Sequence, residues 1–528
     1  MDNHALDGLF PPRKLWLKFR PRKRDRRQDS MALNLQALKK AISILRVKQP
    51  TLPWAIKLSE TISRIRRRVL EDASFSFGTI IVRGIEKDKK LKTFRPLAEF
   101  GLEDKIIDCL TARYFRERFD NLFGDCALAF RCASPGQPVP TIHTALAEIH
   151  RFRLKYSNRS LFVAEADISA FYDSVSHKMA RHAITSLESE LSAKIGEADI
   201  APRAKQIFEA FLNAYSFFNS VKKGAEVEIK RRNQQNSFPW PEQMLRELHG
   251  KEDLTSIGVP QGAALSCFVA NAVLHSADQS VLNLKKRRKR PLLYQRYCDD
   301  MVVVSTDRAA CRAGFEAYLN RLHEIKLPVH PPKTIAVYDP QFWNGKSKAV
   351  YQWAEAPVGV PWIQFVGYQI RFDGLVRIRP KSLKKHFRKI VEMTNFVLKA
   401  IRPGKKSRGH VPKISAKVRK RKRQIVYRLA QRLCCLGVGR RFVGQPLPTT
   451  AEEIMPMCWT RGFRGLKGMP AVKTALKELD RHRERQLRRL KRNLAKHVDR
   501  EPEAEGWLGK KKPLEYLGRP FSYFGQLK

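Results

Sequence analysis

Leu292-Leu293-Tyr294-Gln295-Arg296-Tyr297-Cys298-Asp299-Asp300-Met301-Val302-Val303-Val304-Ser305 sets two runs of apolar, β-favouring residues on either side of adjacent aspartates. The pattern predicts a hairpin with its acids at the tip. Concentrating two carboxylates on one tight turn costs solvation, so the pair calls for a cation. Hard divalent ions take oxygen ligands and keep waters or substrate phosphates in their remaining positions, which makes Mg²⁺ the natural guest and Mn²⁺ its substitute. A solvated Asp-Asp turn is the plain alternative, and the rest of the chain has to decide.

Upstream, Leu161-Phe162-Val163-Ala164-Glu165-Ala166-Asp167-Ile168-Ser169-Ala170-Phe171-Tyr172-Asp173-Ser174 is a strand-like run that ends in an acid, two aromatics and another acid. Asp167 at a strand end can meet the hairpin tip across a sheet, giving the third carboxylate that a two-metal site needs. Between the two stretches, Gly258-Val259-Pro260-Gln261-Gly262 reads as a loop, and the apolar run from Ala263 to Leu274 as a buried helix.

In this order the blocks resemble the palm of the reverse transcriptases: Asp-x-x-x-Phe-Tyr-Asp, then Pro-Gln-Gly-x-x-Leu-Ser-x-x-x-Ala-Asn, then Tyr-x-Asp-Asp. The likeness extends to Lys92-Thr93-Phe94-Arg95-Pro96 and Ala129-Phe130-Arg131 upstream, and to Pro332-Lys333-Thr334 and Phe365-Val366-Gly367-Tyr368 downstream. It spans roughly residues 80 to 370. It implies an α+β, right-hand polymerase fold with fingers, an antiparallel-sheet palm and a helical basic thumb.

The resemblance also implies roles. Asp167 and Asp299 are expected to ligate two Mg²⁺ ions, with Asp300 adding charge from slightly further out. Arg95 first and Lys92 second are expected to hold the incoming triphosphate, a task that suits a planar guanidinium. Tyr172 is expected to crowd the sugar 2′ position and so disfavour ribonucleotides, whereas Phe171 reads as core. Gln261 and Gly262 are expected to flank the nascent base pair, the glycine permitting close backbone approach. Lys333 is expected near the leaving pyrophosphate, as a proton donor or a neutralising charge. For each of these cations the plain alternative is a solvated surface residue. Two positions depart from close relatives: Cys267 stands where many have proline, and Cys298 where retron enzymes usually have alanine.

Composition agrees with a polyanionic partner. In 528 residues Lys and Arg total 102 against 51 Asp and Glu, a formal charge of +51. Binding to nucleic acid gains from releasing counterions, whereas a membrane-surface protein would carry basic amphipathic helices or an anchor. Nine scattered cysteines without a Cys-x-x-Cys pair argue against a disulfide framework or a zinc ribbon. The expected compartment is the reducing cytoplasm. No apolar run reaches transmembrane length.

The expected organisation is a basic arm at 1–30 around Arg20–Arg27, N-terminal helices and fingers at 31–160, a palm at 161–370 and a basic helical region at 371–528. A polar insert at 219–257, carrying Lys230–Asn236, is expected to touch template or partner. In the last region, helices are predicted from Lys381, over about 412–436 and over about 471–497. The final one carries a Val472, Leu476, Leu479, Leu487, Leu490, Leu494 stripe opposite Arg481, Arg485, Arg488, Arg489, Arg492 and Lys496. Trp459–Gly465 interleaves aromatics with arginines, a mix that suits stacking on bases.

These features together predict an RNA-directed DNA polymerase working on an RNA template or non-coding RNA, with dNTPs as substrates, DNA as product and no membrane. A partner protein or a second copy of the chain fits equally. No His-Asn-His nuclease motif, RNase H pattern or zinc-binding tail is evident, so by analogy the chain looks most like the defence-associated bacterial enzymes. Two other classes stay open. One is an intron maturase that mainly grips RNA; the other is an RNA-dependent RNA polymerase, disfavoured by Tyr172 and Tyr-x-Asp-Asp.

Overall fold

The computed structural model describes residues 19–21, 33–37, 53–401, 422–438, 469–496 and 521–522, apart from 73, 89–90, 133–138, 197–199, 232–235, 251–253, 288–289, 335–341, 344 and 355–361. Most of the basic arm, the Trp459–Gly465 stretch and the core of Lys230–Asn236 lie outside those residues. Two compact units emerge, Met1–Pro138 with Phe162–Tyr351, and Val139–Leu161 with Gln352–Lys528.

Near the start, β1 (Phe19–Pro21) pairs antiparallel with β2 (Leu33–Ala37), and α1 (Pro53–Leu70) follows. A hairpin of β3 (Ile81–Asp88) and β4 (Thr93–Glu99) leads to α2 (Leu102–Phe119). Strand β3 begins at Ile81, after Phe75 and Phe77. Those two rings are buried, edge to face at 5.2 Å, and gain from the core. After α3 (Ile142–Lys155) come β5 (Leu161–Ala166), the single turn α4 (Phe171–Ser174), α5 (His177–Ile195) and α6 (Pro202–Asn213). A π-helical stretch, Phe217–Ala225, runs into α7 (Glu226–Arg231), and α8 (Glu242–His249) precedes the long α9 (Ala264–Arg287). The expected hairpin is β6 (Leu292–Tyr297) and β7 (Asp300–Ser305), followed by α10 (Arg308–Glu324) and β8 (Lys348–Trp353).

Strands β6, β7, β5 and β8 form one sheet in that order. Val302, Val303 and Val304 are wholly buried, so β7 is covered on both faces, which is why it reads as an unbroken apolar run rather than an alternating one. Helix α9 buries Leu265, Phe268, Val269, Val273 and Leu274. Its first amides, of Ala264 and Leu265, donate to the Asp108 carboxylate of α2 at 2.7 and 2.9 Å, satisfying groups that a helix start leaves open. Burial nevertheless pushes the Asp108 carboxyl up to about 6.

The second unit holds an antiparallel sheet of β9 (Trp362–Phe365), β10 (Tyr368–Arg371) and β11 (Val376–Ile378), then α11 (Pro380–Ile401), α12 (Lys422–Val438) and α13 (Pro470–Lys496). Helix α3 belongs here, its His143 meeting the Tyr368 hydroxyl at 3.0 Å. Along α13 the Val472, Leu476, Leu479, Leu487, Leu490 and Leu494 stripe is buried, while Arg481, Arg485, Arg488 and Arg492 are exposed and Arg489 is half-buried.

Candidate active site

The pairing of β5 with β7, Ala166 opposite Met301, carries one step on to set Asp167 beside Asp300. Tyr297 pairs with Asp300, so Cys298 and Asp299 form a two-residue turn. Cys298 takes a φ of 60°, a left-handed conformation usually left to glycine and one that costs about 1 kcal/mol. That turn is held from beneath by Arg296, whose side chain is wholly buried. Its guanidinium donates to both Asp278 oxygens of α9 at 2.8 and 2.6 Å and to the Cys298 carbonyl at 2.9 Å. Tyr294 adds a hydroxyl to Asp278 at 2.6 Å. Burial works against the Arg296 charge, but the Asp278 carboxylate raises its pKa well above the ordinary value.

Burial pushes the Asp300 carboxyl up to about 7, with Asp299, Asp167 and Glu165 adding to the rise. Asp299 is raised by burial first and by Asp167 second. The three acids therefore lie close enough to repel one another. Lys346 answers part of that charge: its ammonium donates to Asp167 Oδ2 at 2.8 Å and lies 2.9 Å from His330 Nε2. Ser347 Oγ accepts from the Asp167 amide at 3.1 Å, and the His330 amide donates to the Asp167 carbonyl at 3.1 Å. Sequence reading passed over Lys346, Ser347 and His330; the sole signal was a Gly345-Lys346-Ser347 triplet with no periodicity to place it.

Lys333 is exposed, its backbone bonded to Ser347 and Ala349, and its stem lies against Gly345, where an added Cβ would come within 2.8 Å of Lys333 Cγ. Arg95 is exposed on β4, and its charge helps hold down the Asp173 and Asp299 carboxyls. Lys92 sits in the β3–β4 turn at a φ of 49°. Lys87, on the same hairpin, interacts electrostatically with Asp173 and Asp167, and its own pKa is lowered by burial and by Lys346 and Arg95. On that hairpin Ile85 pairs with Arg95, and the register shifts between Glu86 and Asp88, at Lys87.

Tyr172 packs on the core with its hydroxyl 3.3 Å from Cys298 Sγ, so the ring and the acidic turn are in direct contact. Phe171 is buried. Gln261 Nε2 reaches both Asp173 oxygens at 2.8 Å. Gly262, at φ 103°, lies against β4: an added Cβ would meet Leu97 Cδ1 at 2.7 Å. The close approach seen at this glycine is to the hairpin.

Carboxylates on adjoining strand ends, raised by burial and mutual repulsion, are the donor type a hard divalent ion requires. Among the described residues, however, no three His, Cys, Asp or Glu side chains are gathered tightly enough to ligate one ion. The oxygen donors are of the type that fits a hard divalent ion, and Lys346 contacts Asp167 among them.

Residues 194–370 match the family model described as reverse transcriptase (RNA-dependent DNA polymerase), so the chain carries a reverse transcriptase domain. The matched segment includes Gln261, Asp299, Asp300 and Lys333 but begins after Asp167, which follows the Ala166–Met301 pair of the sheet. The described elements mix helices with antiparallel sheets. Among solved structures, telomerase from Candida albicans with a TWJ fragment of telomeric RNA is 10% identical, covering 87% of this chain and 65% of that one at a TM-score of 0.31. Apo telomerase from Candida tropicalis is 12% identical, covering 83% and 68% at a TM-score of 0.36. The chain thus spans just under two thirds of the length of the first. No curated protein matches the sequence. Among the described residues no helix is long and apolar enough to cross a membrane.

Proposed function

We propose that this chain is an RNA-directed DNA polymerase that extends a 3′-hydroxyl with deoxynucleoside triphosphates. The reading is supported above all by the meeting of Asp167 with Asp299 and Asp300 in a chain that carries a reverse transcriptase domain. In this reading Asp167 and Asp299 hold two Mg²⁺ ions and Asp300 completes their charge. Bound ions would lower the pKa of the attacking hydroxyl and neutralise the triphosphate. Arg95 and Lys87 bind the triphosphate oxygens, with Lys92 further along the same hairpin. Tyr172 crowds the 2′ position and Gln261 lines the base-pair pocket. Lys346 holds Asp167 before the ions arrive, and Lys333 serves the leaving pyrophosphate. The +51 charge suits an RNA template or non-coding RNA and its DNA product.

Incorporation of labelled dTTP on an RNA template with a DNA primer tests the reading. The wild type should incorporate only with Mg²⁺ or Mn²⁺, and Asp167→Asn or Asp299→Asn should lose at least about 10²–10³-fold while retaining RNA binding. Either mutant working at near wild-type rate would sink the assignment. RNA binding without incorporation would favour the maturase class, and preferential use of rNTPs an RNA polymerase. The setting we propose is antiphage defence in a bacterial cytoplasm, tested by whether Asp299→Asn removes protection of cells against phage plaquing.

A further inference from the structure

The insert between α6 and α9, expected to touch template or partner, folds back on the site through its described residues. Trp240 stacks on Phe217 with ring centroids 4.8 Å apart, and its indole N–H donates to the Asp173 carbonyl at 2.7 Å. The Asp173 side chain in turn receives the Gln261 amide on both oxygens. Three residues before Trp240, the Ser237 amide donates to the Lys92 carbonyl at 3.1 Å, and the Ser237 carbonyl accepts from the Phe94 amide at 2.9 Å. The segment therefore adds a short bridge to the start of β4, the strand that carries Arg95. The circuit closes where the Ala98 amide donates to the Gln261 carbonyl at 2.9 Å.

A buried carboxylate is expensive unless its bonds are made, so Asp173 constrains whatever satisfies it. Here that is Gln261, while Trp240 fixes the backbone from which Asp173 projects. We propose that Ser237–Trp240 is a positioning brace for the nucleotide pocket: Trp240 acts through Asp173 on Gln261, and Ser237 acts through β4 on Arg95. The segment thereby aligns the base-pair side and the phosphate side of one pocket, and its own side chains touch no substrate. This rests on the polymerase reading given above.

Full-length Trp240→Phe removes the indole donor and keeps a ring over Phe217. It should raise KM for dNTP by about three- to tenfold, the weight of one hydrogen bond, with kcat within about twofold and Tm within a few degrees. Asp173→Ala should raise KM further, and Asp173→Asn, which keeps an acceptor for Gln261, should recover part of the loss. Hydrogen exchange supplies an arm independent of catalysis: the Ala98 and Phe94 amides should exchange faster in Trp240→Phe than in wild type. An unchanged KM with unchanged exchange would overturn the brace. So would a fall in kcat and Tm at constant KM, which marks a purely structural role. If the wild type adds no nucleotide at all, the polymerase reading fails, and the exchange comparison alone still decides whether Trp240 holds the β4–Gln261 contact.

Discussion

Arg296 offers the sharpest test of how the acidic turn is held. Its side chain and that of Asp278 are both at 0% exposure, joined by two bonds of 2.8 and 2.6 Å. Arg296→Met keeps volume and removes the charge, leaving Asp278 buried with only the Tyr294 hydroxyl and the rest of its surroundings. Breaking one side of such a pair costs about 3–5 kcal/mol, whereas replacing both sides by apolar groups is often neutral. Arg296→Met should therefore lower unfolding free energy by about 3–5 kcal/mol, a fall of two to three decades or more in the folding constant. Arg296→Met with Asp278→Leu should recover most of that in urea titrations. Activity should not recover with it. The double variant still lacks the donor to the Cys298 carbonyl, and Cys298 sits at a φ of 60° that needs holding. Dideoxy-terminated single-nucleotide addition at saturating dNTP measures this. A double variant that is both stable and fully active would refute the view that Arg296 positions Asp299, and a stable Arg296→Met would refute the buried-charge argument itself.

Tyr172→Val should raise rNTP use relative to dNTP in competition assays, because the ring beside Cys298 acts by shape; unchanged discrimination would return Tyr172 to a purely core role. Stability should carry an unusual pH dependence. Burial raises Asp108 to about 6 and Asp173 to about 7, above their unfolded values near 4, so folding takes up protons. The stability these groups contribute is full below pH about 4 and is lost as pH rises through 6 and 7, on the order of a few kcal/mol in all. The gap in urea midpoint between wild type and Asp173→Asn should change between pH 5 and 8; a constant gap would contradict it. Replacing the exposed Arg485, Arg488 and Arg492 with Gln should flatten the log–log salt dependence of RNA binding by up to about 0.7–0.9 per lost phosphate contact. Arg489, half-buried and bonded to Gln486 at 3.2 Å, should matter less. An unchanged slope would make that helix a solvated face.

What sequence could reveal here follows from how locally each feature is encoded. The acidic hairpin was legible as two apolar, β-favouring runs around an Asp-Asp turn, and the α13 stripe because a period of 3.6 reports directly which residues face the core. Asp167 was legible as the end of a strand, and the register of β5 against β7 then places it without further information. Lys346 was not, since it reaches Asp167 from a connection 179 residues away that has no period of its own. Arg296 was hidden by its position in a run that reads as apolar and β-favouring; Asp278, on a distant helix, is what makes a charge tolerable there. The same holds for Gly262. A glycine after Pro-Gln announces a close approach without saying to what, and the neighbour proves to be Leu97 of β4. Such long-range pairs share a physical cause: a buried polar or positively strained group is stable only once another element supplies its partner, so the local sequence records the need and not the donor. The bond from Trp240 to Asp173 is the strongest instance, because a polar insert expected to touch template or partner supplies, through one indole N–H, the bond that fixes the Asp173 backbone.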